Sequence, residues 1–304
     1  MRSLAGAKLA AAALLAAAAV PALLAAAAVP ALLAAAAVPA DAETAVERGA
    51  YLVNGIANCG NCHSPLDPDG KPAGTPLSGG GAIVGPYFSA YPPNLTADPE
   101  TGLGRWSEDQ IVTAIREGRT PDGTMLRPPM PVPFYRGLSD RDAHAIAAYL
   151  RSLPPVRNAV PASIYERPTP TSYGGTVGRI PDPDPDDRVV YGRYLVALGH
   201  CMRCHTPRDA AGRPDLAHRM GAGGVVFRGG VVSANITSDP VSGIGAWTDR
   251  QIKDAMTKGV RPDGSQVAPP MPWRFFATMR EADVDAIVAY LRTVPPISER
   301  SVGR

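Results

Sequence analysis

The chain is written twice. G-A-Y-L-V at 49–53 returns as G-R-Y-L-V at 192–196, and C-H-S-P-L-D-P-D-G at 62–70 returns as C-H-T-P-R-D-A-A-G at 204–212. N-L-T-A-D-P-E-T-G-L-G-R-W at 94–106 matches N-I-T-S-D-P-V-S-G-I-G-A-W at 235–247, and P-P-M-P recurs at 128–131 and 269–272. A-I-A-A-Y-L-R-S-L-P-P-V at 145–156 is answered by A-I-V-A-Y-L-R-T-V-P-P-I at 286–297. The offset drifts only from 143 to 141, so the loops keep nearly the same length in both halves. A fixed internal period means tandem copies of one small unit, and any architecture has to be built from that unit.

The four cysteines fall inside the repeat, as Cys59-Gly60-Asn61-Cys62-His63 and Cys201-Met202-Arg203-Cys204-His205. C-x-x-C-H is the attachment signature of c-type haem: two thiols bond the vinyl groups, and the adjacent histidine is carried under the iron. C-x-x-C alone also reads as a redox disulfide or half a zinc site. The histidine follows twice within repeating flanks, which favours haem, and all four cysteines are then consumed in attachment.

The repeat also screens candidates for a second axial ligand. Met125 aligns with Gln266, Met279 with Leu138, Met256 with Ile115, and Met202 lies inside a motif opposite Asn61. Only Met130 and Met271 match each other, 71 and 70 residues after the first cysteine of their motifs. His144, His200 and His218 face Asp285, Asn58 and Pro76, so no further histidine is shared. Proline fixes φ on both sides of Met130 and Met271. A soft side chain held by a stiff loop suits a thioether donor, which favours Fe(II) and raises the potential. Trp106 and Trp247 are shared as well; each is a candidate indole donor to a haem propionate, with plain core packing as the alternative. Arg203, between the cysteines of the second motif, is expected to raise the potential of the second haem only.

The pattern elsewhere is helix and loop. Helices are expected over 43–57 and 187–199, leading into each motif, and at about 108–117 and 249–258 behind the N-caps Ser107 and Thr248. Ser139-Asp140 and Arg280-Glu281 open a last helix in each copy, and Pro154-Pro155 and Pro295-Pro296 stop it. Gly49 and Gly192 invite close approach of the first helix to Tyr149 and Tyr290 on the last. The valines at 225–232 suggest one short hairpin and no further strand. The expected layout is a signal segment over 1–40, a first domain over 41–157, a proline-rich, acidic linker over 158–187, a second domain over 188–297 and a tail over 298–304.

Arg2 and Lys8 precede an alanine/leucine run containing L-L-A-A-A-A-V-P-A three times, and Val38-Pro39-Ala40 suits cleavage. The run is also long enough to cross a bilayer, so an uncleaved anchor is the alternative. Either way the body is exported, which points to the periplasm. Beyond residue 40 the charges balance at 28 basic and 28 acidic, which is no footprint for nucleic acid.

Taken together, C-x-x-C-H, N-[LI]-T-x-D-P-x-x-G-[LI]-G-x-W, P-P-M-P and A-Y-L-R-x-x-P-P make each half resemble a class I cytochrome c module. The pair resembles the multihaem cytochrome c subunits of periplasmic, membrane-associated dehydrogenases that oxidise alcohols, gluconate and related sugars. The resemblance runs from about 43 to 297 and implies an all-α fold of two tandem domains with two haem c groups. It implies covalent attachment at Cys59, Cys62, Cys201 and Cys204, with His63 and Met130 on one iron and His205 and Met271 on the other. It further implies a non-catalytic electron carrier between a dehydrogenase donor and a cytochrome or oxidase acceptor, with membrane association through the N-terminus or the partner. Those subunits commonly carry three modules, whereas this chain carries two. A di-haem peroxidase with one openable iron is the competing reading; it needs a distal acid/base that the repeat does not supply. A haem gas sensor would also need a vacant iron position.

Overall fold

A computed structural model describes residues 43–298. The N-terminal apolar run and the C-terminal tail beyond 298 lie outside the described residues. Each copy contributes five helices in the same order. In the first these are α1 (Ala45–Asn54), α2 (Gly60–His63), α3 (Glu108–Glu117), α4 (Val132–Tyr135) and α5 (Asp140–Ser152). In the second they are α6 (Arg188–Leu198), α7 (Cys201–Cys204), α8 (Asp249–Thr257), α9 (Trp273–Phe276) and α10 (Glu281–Thr293).

Local chemistry sets the boundaries. Ser107 accepts from the Gln110 N–H while the Gln110 side chain accepts from the Ser107 N–H, and Thr248 and Gln251 do the same. These capping boxes satisfy N–H groups that a helix start leaves without partners. Ser139 caps α5 through the Asp142 N–H. The helix ends at Ser152, just before the proline pair.

The first and last helices of each copy cross at glycine. A β-carbon at Gly49 would lie 1.9 Å from the Ala145 carbonyl oxygen and 2.7 Å from Tyr149 Cβ; at Gly192 it would lie 1.9 Å from the Ala286 oxygen and 3.0 Å from Tyr290 Cβ. Backbone meets backbone there, so only glycine fits. Around these crossings Leu52, Ile111, Ile146 and Leu150 are buried in the first copy, and Leu195, Ile252, Ile287 and Leu291 in the second.

Strand appears where no alternation in the residues signals it. β1 (Ile83–Gly85) and β2 (Phe88–Ala90) form an antiparallel hairpin, and β3 (Ile164–Tyr165) adds a third strand through Phe88↔Tyr165 and Ser89↔Ile164. The hairpin expected at 225–232 is reduced to a single bridge, Val226↔Val232. The stretch read as a spacer between the copies therefore packs on the first. The Ile180 N–H donates to the Asp140 carboxylate, Val177 N–H to Glu117, and the Tyr173 hydroxyl to the Leu126 carbonyl. Guanidinium groups sit over rings on the same face, Arg127 at 4.0 Å from the Tyr165 centroid and Arg167 at 3.6 Å from that of Tyr87. These bonds are tertiary, and periodicity within the segment carries no trace of them.

Candidate functional site

The turn from α1 into the first motif passes through Asn58, at φ 40°, and the turn from α6 into the second passes through His200, at φ 42°. This left-handed step delivers the cysteines onto the short helices α2 and α7. No disulfide joins the four cysteines in the structure. Burial pushes Cys59 and Cys201 up to about 12, with the neighbouring thiol adding to the shift. Reactive redox and metal-binding cysteines are instead held low by nearby positive charge. Burial raises Cys62 as well, with the Arg203 charge opposing it, and thioether formation would consume the thiols altogether.

The motif histidines are fixed in the same way in both copies. Nδ1 of His63 lies 2.8 Å from the Pro93 carbonyl oxygen, and Nδ1 of His205 lies 2.7 Å from that of Ala234. A carbonyl only accepts, so Nδ1 carries the proton and Nε2 is left with its lone pair. This is the arrangement that orients a metal-ligating imidazole and sets its tautomer. Burial pushes both imidazoles toward the neutral form.

The two carbonyls are held by the turns that follow them. Asn94 accepts from Thr96 N–H and hydroxyl and donates to the Val156 carbonyl at 2.7 Å; Asn235 repeats this with Thr237 and, at 2.7 Å, with the Ile297 carbonyl. Both asparagines are buried, so N-L-T and N-I-T are turn chemistry and not glycan acceptors. Asp98 and Asp239 close the same turns, and the Ser242 N–H together with its hydroxyl holds Asp239 down to about 2. A depressed carboxylate stabilises the fold above its ordinary value near 3.8, and that contribution is lost as pH falls toward 2. Stability followed by urea unfolding should fall through this window, and Asp239→Asn should remove one proton's share of the slope.

Met130 and Met271 sit on matching turns. Their N–H groups donate to the Arg127 and Ala268 carbonyls, and the Pro128-Pro129 and Pro269-Pro270 bonds are both cis. Each methionine is partly buried against the core. Met271 lines a cavity of about 2320 Å³ together with Cys201, Cys204 and His205 and the apolar walls Ile252, Phe276 and Leu291; Met130 and Cys62 of the first copy face the same space. It exceeds the roughly 300–1,000 Å³ of ordinary ligand pockets. An apolar chamber with paired thiols, an oriented imidazole and a thioether fits a covalently held haem.

Trp247 lines this cavity, and both tryptophan rings pack partly buried against the core. The Trp106 and Trp247 carbonyls accept from Arg151 and Arg292, the arginines of the repeated A-Y-L-R. Those arginines clamp the tryptophan turn onto the last helix, a role their repetition could have flagged. His218 changes partner: Leu77 and Gly221 donate alike to Ser64 and Thr206, which pairs His218 with Gly74 instead of Pro76. It remains unshared.

Seven arginines line the cavity against two aspartates, Asp67 and Asp209. Arg203 is not confined to the second motif. Its charge acts on Cys62 and Tyr135 of the first copy as well as on His200 and Arg208 of the second. The two motifs abut there, with Asn61 and Cys62 lining the cavity beside Arg203 and Cys204.

The cytochrome c family model matches residues 46–154 and 189–295. The fructose dehydrogenase cytochrome subunit of Gluconobacter japonicus is 32% identical over 272 residues, covering 84% of this chain and 54% of that protein. The cytochrome c subunit of the quinone-type alcohol dehydrogenase of Gluconacetobacter polyoxogenes is 31% identical over 285 residues, covering 84% and 58%. A diheme cytochrome c-type protein of Cereibacter sphaeroides is 31% identical over 258 residues, covering 79% and 82%. The chain thus spans a little over half the length of the two dehydrogenase subunits. Two cytochrome c domains carry two haem c groups, and the cysteine pairs 59/62 and 201/204 have the spacing such groups attach to.

Proposed function

The chain belongs to the cytochrome c family, and we propose that it is an exported di-haem relay that takes single electrons from a dehydrogenase and passes them to another cytochrome or an oxidase. A bound haem c supplies a one-electron change at iron with no atom transferred. The observation that carries the reading is the duplicated ligand geometry: a carbonyl-fixed imidazole and a proline-fenced methionine in each copy. His63 and Met130 would hold one group, and His205 and Met271 the other. Cys59 and Cys62, with Cys201 and Cys204, would anchor them, and the Trp106 and Trp247 indoles would reach the propionates. The apolar walls would keep water from the iron, and the stiff turns would limit rearrangement when its charge changes.

The dehydrogenase donor rests on the relatives that are dehydrogenase cytochrome subunits. The seven arginines that line the cavity suit a partner surface bearing carboxylates. Export to the periplasm rests on the basic start and apolar run of the N-terminus. No described helix is long and apolar enough to cross a membrane. A peroxidase would keep one iron position open for peroxide, whereas here both copies offer a methionine.

Mass spectrometry of the purified protein should show two covalent haems, and the dithionite-reduced spectrum should change little under carbon monoxide. Strong carbon monoxide binding by one haem would replace the relay with an enzyme or sensor.

A further inference from the structure

The two copies exchange a side chain across their junction. The Tyr51 hydroxyl, on α1, donates to the Asp283 carboxylate on α10 and accepts from the Arg280 N–H at 3.1 Å. The Tyr194 hydroxyl, on α6, donates to Asp142 on α5 at 2.7 Å and accepts from the Ser139 N–H at 3.5 Å. Tyr51 and Tyr194 occupy equivalent repeat positions, as do Asp142 and Asp283, and Ser139 and Arg280. Each copy thus caps the start of the other's last helix, in the reciprocal pattern of a two-fold interface. Both aspartates are buried.

The exchange is not fully symmetric. Asp142 also receives two bonds from Arg48 of its own copy, at 2.8 and 2.9 Å. Tyr191 stands at the position of Arg48 in the second copy, stacked on Tyr194. Among the described residues, Asp283 has no ion pair, so its hydroxyl partner comes from the other copy.

The haem-attachment motifs lie on this same junction. A β-carbon at Gly60 would meet the Phe275 ring at 3.0 Å, and one at Gly199 would meet Ile56 Cδ1 at 2.8 Å. The Tyr135 and His200 rings meet edge-on with centroids 6.1 Å apart. We propose that the reciprocal pairs Tyr51–Asp283 and Tyr194–Asp142 are positioning residues that fix the two attachment motifs against each other, and so set the rate at which the two haems exchange electrons. The rate clause rests on the di-haem reading; the locking of the copies does not.

Tyr→Phe removes one oxygen and keeps the ring, so each variant tests the hydroxyl alone. In the full-length haem-loaded protein, thermal unfolding should be a single transition. Tyr51→Phe with Tyr194→Phe should split it in two and slow inter-haem exchange at least tenfold, leaving each haem's visible spectrum unchanged. Asp283→Asn keeps an acceptor for Tyr51 and should preserve the exchange rate, whereas Asp283→Ala should lower it. Should the double variant fail to fold, Tyr51→Phe alone carries the test, with a smaller loss of rate expected. A single transition at the original midpoint with unchanged exchange overturns the proposal. Split unfolding with unchanged exchange overturns it too, because the pairs would then stabilise without positioning. A haem count below two would sink the relay reading and leave the unfolding result to decide whether the copies are locked.

Discussion

Replacing Gly192 with alanine should destabilise the protein by about 3 kcal/mol, at the upper end of what overpacking costs. The added carbon would stand 1.9 Å from the Ala286 carbonyl oxygen, an atom of the α10 backbone. No rotamer change relieves that contact, so α6 and α10 must separate. Separation loosens the packing of α6 on α10, whose Ile287 and Leu291 line the second copy's cavity. Alanine's higher helix propensity returns only about 1 kcal/mol. For a protein of this size the melting temperature should drop by roughly 6–12 °C. Gly49→Ala should do the same through Ala145. Gly137→Ala is the control: a β-carbon there meets nothing within 4 Å, so its effect should stay within about 0.5 kcal/mol. Equal melting temperatures for Gly192→Ala and Gly137→Ala would show that the crossing helices are not held at backbone contact.

Met271→Leu should remove the sulfur–iron charge-transfer absorption of one haem and lower that haem's potential by a sizeable share of the roughly 0.8 V that axial ligands span. Leucine keeps the volume, so the fold should lose less than about 1.5 kcal/mol. Met130→Leu should act on the other haem only. Met125 is buried beside the Arg119 bridge and Met279 packs on the core, so leucine at either should leave both bands in place. Absorption lost on changing Met125 in place of Met130 would refute the ligand assignment. Redox titration alongside the charge-transfer band separates a lost ligand from a merely loosened pocket, because only the former abolishes the absorption.

Much of the molecule could be read without its structure, for reasons of range. The helix starts at Ser107 and Thr248 depend on groups three residues apart. The attachment motif is a five-residue matter, and the proline-fenced methionines are fixed by their own neighbours. Comparing the copies extended this reach: glycine at the same place twice, before tyrosine at the same place twice, already implied the helix crossings at Gly49 and Gly192. What the tertiary structure decided lies between segments far apart in the chain. The carbonyls of Pro93 and Ala234 fix the histidines from 30 and 29 residues away and leave no side-chain signature. The segment at 158–187 looked like a free spacer because its bonds go outward, to β2, Glu117 and Asp140. Sequence position sets Arg203 between the cysteines of the second motif, whereas only the fold brings it onto one cavity with Cys62 of the first. Tyr51 and Asp283 are 232 residues apart, and neither implies the other until the two copies face each other. Local covalent chemistry and short-range bonding are written in the order of residues, whereas the pairing of distant surfaces is settled only when burial brings them together.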